Sequence, residues 1–167
     1  MIGDYKKFQN FLARTTTSFF GAGYSPIAPG TVGSLAAIPL IYWMAPFANS
    51  LKIFLWLGIF IAGWMGCKRI DQITKIRDNQ SIVIDEVIGM GIATWTVGRD
   101  WKGLAAAFVL FRFFDILKLW PVRQVDGWSK TGSTPTQRGF MVILDDVGAG
   151  LQALALVLLL QHLGVLS

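Results

Sequence analysis

Residues 142–165 read VILDDVGAGLQALALVLLLQHLGV. This run, Val142 to Val165, decides the fold class. Its Leu, Ala and Val content and its length favour a helix over a strand. It is also longer than the ~20 apolar residues a helix needs to cross a bilayer. Two adjacent acids, Asp145 and Asp146, stand near its start. Ionisable groups are costly inside an apolar helix and mark functional candidates there.

Four further apolar segments flank this one. Leu35 to Phe47 carries Pro39 and Pro46, and Ile53 to Cys67 carries no charge. Ile82 to Val97 has Asp85 and Glu86 near its start, and Leu104 to Trp120 contains Arg112, Asp115 and Lys118. The expected fold is all-α: a single-domain helical bundle, membrane-embedded, with about five apolar helical segments. Residues 1–17 are expected as an N-terminal cytoplasmic segment and 18–165 as the helical membrane core. The second and fifth segments are the best spanning candidates. The other three fall short of spanning length, so they span, re-enter, or form the core of a bundle resting on the membrane.

Composition supports lipid surroundings. Hydrophobic residues make up 53% of the chain and charged residues only 15%, where about 25% charged is usual for soluble domains. Too little polar cover remains for a soluble surface, unless the core is unusually large. The net charge is +5, but the basic residues lie in short gaps between apolar runs. That is the membrane pattern, not the basic–aromatic clustering of a nucleic-acid binder. Cys67 is the sole cysteine, which excludes an intrachain disulfide. The first residues lack the apolar core and small-residue site of a cleavable signal peptide.

If all five segments span, one side holds Lys6, Lys7, Arg14, Lys68, Arg69, Lys75, Arg77, Arg123, Lys130 and Arg138. The other holds Lys52, Arg99 and Lys102. The positive-inside rule places the first side in the cytoplasm. Asp85 and Glu86, Asp115 and Lys118, Asp145 and Asp146, and the loop from Ser25 to Ser34 then all fall at the cytoplasmic face.

Five carboxylates gathered in a low-dielectric setting repel one another unless a cation sits among them. Hard oxygen ligands without His or Cys select magnesium, manganese or calcium. The plainer reading of each acid pair is a charge placed at a helix start, where the dipole favours it. Arg112, Asp115 and Lys118 recur at i, i+3 and i+6, as one helix stripe. That stripe is either a structural salt bridge or a phosphate-binding group. Gly89, Gly91, Gly148 and Gly150 follow the acid pairs and let helices approach closely. The stretch SPIAPGTVGS, Ser25 to Ser34, is a rigid turn opening a helix, with Thr31 or Ser34 as its cap. Free amides at such a start also hold phosphate.

The reaction narrows by exclusion. The only histidine, His162, lies near the C-terminus, and Cys67 is not followed by a phosphate-cradling Cys-x5-Arg loop. Neither supplies a nucleophile for phosphoryl transfer. Metal-activated water, a carboxylate base and Arg or Lys on the phosphate remain.

Four stretches in order resemble the phosphatidylglycerophosphatase A family: Ser25 to Ser34, IDEVIGM at 84–90, FRFFDILKLWPVR at 111–123, and MVILDDVGAG at 141–150. The resemblance covers about residues 18–152. It implies hydrolysis of phosphatidylglycerophosphate to phosphatidylglycerol and inorganic phosphate. It also implies a magnesium requirement, a phospholipid substrate in the bilayer, and a bacterial inner-membrane location. Family acidic positions map onto Asp85, Glu86, Asp115, Asp145 and Asp146, and basic ones onto Arg112, Lys118 and Arg123. Thr31 and Ser34 are expected to donate hydrogen bonds to the phosphate. One departure stands out: members often carry a histidine shortly before the double aspartate, and Asp126 to Phe140 has none. Lys130 or Arg138 is a candidate to make that phosphate contact. The rivals are a metal-dependent lipid phosphotransferase and a small membrane cation carrier.

Overall fold

A computed structural model describes residues 2–76, 79–118, 120 and 134–166, with side chains from Asp4 onward. The described residues form six α-helices and no strand. They are α1 (Ile2–Thr17), α2 (Pro29–Met44), α3 (Asn49–Thr74), α4 (Ile84–Ala93), α5 (Trp101–Leu117) and α6 (Pro135–His162), with a 3-10 turn at Ala22–Tyr24.

Local chemistry sets most of these limits. Asp100 caps α5 by accepting from the amides of Lys102 and Gly103. Thr134 caps α6 by accepting from the Gln137 amide, with Pro135 opening the helix. The cap of α2 differs from expectation. Its N-cap is Ala28, in the left-handed region at φ 46 and without a side-chain bond, and Pro29 begins the helix. Thr31 and Ser34 therefore lie inside the helix, where the Ser34 hydroxyl donates back to the Gly30 carbonyl at 2.9 Å.

Among the described residues, two helices are long and apolar enough to cross a membrane. α3 has 26 residues and α6 has 28, about 40 Å each at 1.5 Å per residue. α4 has only 10 residues, about 15 Å, and cannot span. Of the five expected apolar segments, the second and fifth thus form helices of spanning length, while the third forms only a short helix. Of the sixteen residues from Ile82 to Val97, ten form α4 and the last four are turn, after which Gly98 redirects the chain at φ 65. The most apolar stretch of α3 is only 17% buried within the protein. Phe54, Leu57, Ile61 and Met65 point outward. An oversized soluble core would bury them, so the apolar excess faces outward, as lipid surroundings require.

Residues 1–17, expected only as an N-terminal segment, contain α1, which packs on α3. The Thr17 carbonyl accepts the Val83 amide at 2.8 Å and so holds the entry to α4. α4 lies against α6 at two glycines. A methyl group on Gly89 would stand 2.7 Å from the Asp146 carbonyl, and one on Gly150 would stand 2.5 Å from the Gly89 carbonyl. This contact sets the two acid pairs side by side, as the glycine spacing leads one to expect. Phe111 from α5 and Ile143 from α6 fill the core beneath.

Candidate active site

The helices enclose a cavity of about 520 Å³ lined by residues of α2 to α6. α4 brings Asp85 and Glu86 from its first turn, and α6 brings Asp145 and Asp146, both buried. One carboxylate oxygen from each of Asp85, Glu86 and Asp146 lies within 4.8 Å of the others. Asp115, from the last turn of α5, also lines the space.

Helix capping explains only one of the acid pairs. Asp85 and Glu86 stand in a first turn, where the dipole favours them. Asp145 and Asp146 stand about 15 Å into α6, which begins at Pro135. The dipole's influence fades within the first turn, so these two acids need another partner.

Asp145 has one in Lys118, whose Nζ is 2.5 Å from Oδ2. The sequence placed Lys118 on a stripe with Arg112 and Asp115, but it caps α5 beyond Leu117, with φ 44. It therefore leaves the stripe and reaches across to α6. Arg112 stays with Asp115, its Nη1 2.6 Å from Oδ2. That contact is an ion pair not aligned as a hydrogen bond. Arg112 stands behind Asp115 and is not among the described residues that line the cavity.

Glu86 Oε2 and Asp146 Oδ2 are buried and have no hydrogen-bond partner among the described residues. Burial pushes the Asp85 carboxyl well above its ordinary range, and the neighbouring Glu86 pushes it further. Glu86 is also raised, first by burial; a hydrogen bond from Asp85 opposes this and the charge of Asp115 adds to it. Buried acceptor oxygens without donors, raised carboxyl groups and an all-oxygen donor set fit a hard divalent cation held by Asp85, Glu86 and Asp146.

Pro29 and Gly30 bring the first turn of α2 to the cavity, while Thr31 and Ser34 do not line it. A methyl group on Gly30 would stand 2.2 Å from Glu86 Oε1, so any larger residue there would push the Glu86 carboxylate out of its place. Arg123 and Lys130 lie outside the described residues. His162 ends α6, about 24 Å along the helix from Asp146, and takes no part in the site.

Sequence reading offered Arg138 as a candidate phosphate contact but missed its neighbours at the other end of the cavity. Asp71 of α3, Asn79, Gln80 and Arg138 of α6 line it. Arg138 Nη2 lies 2.7 Å from Asp71 Oδ2 and its Nε 3.4 Å from Oδ1. The signal for Asp71 was thin: it is the only acid in α3, one turn after Cys67.

With this geometry in place, comparison with known proteins is specific. A family model described as Phosphatidylglycerophosphatase A matches residues 15–161. The chain belongs to the phosphatidylglycerophosphatase A family. A relative in this family, Phosphatidylglycerophosphatase A of Escherichia coli K12, is 38% identical over 89% of this chain and 84% of its own length. The Haemophilus influenzae protein of the same name is 36% identical over 86% and 85%. A third relative, from Bacteroides thetaiotaomicron, carries the provisional title of a phosphatidylinositol-3-phosphatase and is 31% identical over 89% and 92%. No solved structure matches the chain. Phosphatidylglycerophosphatase A membership agrees with the order of the four stretches and with the polar site they build between apolar helices.

Proposed function

We propose that this protein hydrolyses the terminal phosphate of phosphatidylglycerophosphate, giving phosphatidylglycerol and inorganic phosphate during bacterial phospholipid synthesis. The observation that carries the reading is the meeting of Asp85, Glu86 and Asp146 from two helices beside Lys118, in a protein of this family with two helices of membrane-spanning length. The protein sits in the inner membrane with its cavity toward the cytoplasm. Lys68, Arg69 and Lys75 near the end of α3 and Arg138 near the start of α6 support that orientation.

Hydrolysis joins a water oxygen to phosphorus and breaks the bond from phosphorus to the glycerol oxygen, which leaves with a proton. The site must hold the phosphate, meet its charge and accept a proton from the water. Lys118 meets phosphate oxygens at the cavity wall. Arg112 holds Asp115 in place. A carboxylate of the cluster accepts the proton. Asp85, Glu86 and Asp146 would hold magnesium, with Asp115 and Asp145 beside them, and the ion would supply charge stabilisation and a more acidic water.

The test is phosphate release from phosphatidylglycerophosphate by detergent-purified protein, with magnesium and then with chelator. Release that depends on magnesium and is lost in Asp146→Asn supports the proposal. Faster release from phosphatidylinositol 3-phosphate moves the substrate toward that of the Bacteroides relative. Metal uptake into vesicles without phosphate release moves the reading to a cation carrier.

A further inference from the structure

The acid cluster and Lys118 account for one end of the cavity. The other end holds a cation that the hydrolytic step does not use. Arg138 and Asp145 are seven residues apart on α6, about two turns, so both face the same wall about 10 Å apart along the helix. Asp71 engages Arg138 through the Nε and Nη2 edge of the guanidinium. The two side chains are 20% and 14% exposed, so the pair borders the cavity without being sealed from it. The Trp64 indole donates to the Thr136 carbonyl at 3.0 Å, and Phe140 packs edge-on against Phe60 and Trp64. α6 is thus fastened to α3 on both sides of Arg138 by contacts that do not involve it.

The proposed substrate has two phosphates joined by a glycerol. The terminal monoester is hydrolysed, and the internal diester keeps one negative charge. With the monoester at Lys118 and the acids, the diester falls within a glycerol's length of that point. A charged phosphate in a partly buried cavity needs a cationic partner there. A planar guanidinium suits phosphate oxygens, and a carboxylate along one edge fixes its plane in advance.

We infer that Arg138, oriented by Asp71, is a second phosphate subsite that binds the internal phosphodiester of the lipid and so selects a bisphosphorylated head group over a lipid carrying only a monoester. This rests on the phosphatase reading above. Arg138 touches the substrate; Asp71 is a positioning residue that acts through it.

The experiment compares phosphatidylglycerophosphate with phosphatidic acid, which has the monoester and no diester, in mixed micelles at fixed magnesium. The wild type is expected to prefer phosphatidylglycerophosphate. Arg138→Ala is expected to raise KM for it about tenfold with kcat changed less than about threefold, and to lower the preference ratio about tenfold. Arg138→Lys is expected to recover part of the ratio, and Asp71→Asn to lower it in the same direction by less. Equal losses on both lipids in Arg138→Lys and Asp71→Asn would mean a structural pair only and would overturn the inference. A wild type that hydrolyses both lipids equally well would overturn the subsite and leave the phosphatase reading standing. Release from neither lipid would overturn both.

Discussion

Lys118 and Asp145 form an ion pair across two helices, Nζ to Oδ2 at 2.5 Å, from the C-cap of α5 to the third turn of α6. Asp145 is 8% exposed and Lys118 32%. Removing the lysine leaves a buried carboxylate without this partner, which costs about 1–3 kcal/mol once the lysine's exposure is allowed for. Lys118 also sits at φ 44, where glycine is free of the Cβ penalty. Lys118→Gly is therefore expected to be about 1 kcal/mol more stable than Lys118→Ala, although both lose the charge. Both should lose most phosphatase activity. Thermal unfolding in detergent beside a turnover assay checks this. Equal activity in the wild type and the glycine variant would remove Lys118 from the phosphate site.

The glycines separate fold from site. A methyl group at Gly89 meets the Asp146 carbonyl at 2.7 Å and the Phe111 ring at 2.5 Å. Backbone must move, so Gly89→Ala is expected to cost more than about 2 kcal/mol and to part the acid pairs. At Gly30 the obstacle is the Glu86 carboxylate, so Gly30→Ala should cost activity first and stability less. Nothing stands within 4 Å of a methyl group at Gly58. Gly58→Ala should gain about 0.5–1 kcal/mol from helix propensity and leave turnover alone. Ranking the three by melting temperature and by phosphate release tests the assignment.

The acids were legible from sequence because charge inside an apolar run has few explanations. The extent of their helices was less so. Hydropathy starts the last segment at Val142, yet α6 begins at Pro135. The signal was present in Thr134-Pro135-Thr136-Gln137, a threonine cap with a glutamine three residues on, and that cap forms. Hydropathy also cannot tell helix from turn when both are apolar, which is why α4 reads too long. Asp71 and Arg138 are 67 residues apart, and no local pattern links them. Only the antiparallel packing of α3 on α6 brings them to one cavity.

Proton and cation compete for α4. Asp85 and Glu86 have native pKa values above their ordinary 3.8 and 4.5. The native state therefore binds more protons than the unfolded state over the interval between those values and the raised ones. Stability falls as pH rises through that interval, being greatest below the ordinary carboxylate range. Chelator-treated protein should melt at a lower temperature at about pH 8 than at about pH 5. Magnesium binds the ionised carboxylates, so its stabilising effect should grow over the same range. A magnesium-induced melting shift that shrinks with rising pH would contradict a cation site at Asp85 and Glu86.

Asp146→Asn separates a cation site from a structural acid by the sign of two effects. Asp146 Oδ2 is buried without a hydrogen-bond partner among the described residues, and its carboxylate shares a 4.8 Å cluster with Asp85 and Glu86. In the absence of a cation that arrangement is repulsive. An isosteric amide removes one charge and adds a donor toward the remaining oxygens. The chelated variant should therefore be more stable than the chelated wild type, by about 1–2 kcal/mol, the gain typical of relieving a functional site's built-in cost. The same change removes a ligand, so the melting shift with magnesium should largely disappear. Phosphate release should fall at least about a hundredfold, the order expected when an electrostatic group of a reaction site is lost. A purely structural Asp146 predicts the opposite pattern. The variant would then be destabilised equally with and without magnesium, and turnover per folded molecule would be kept.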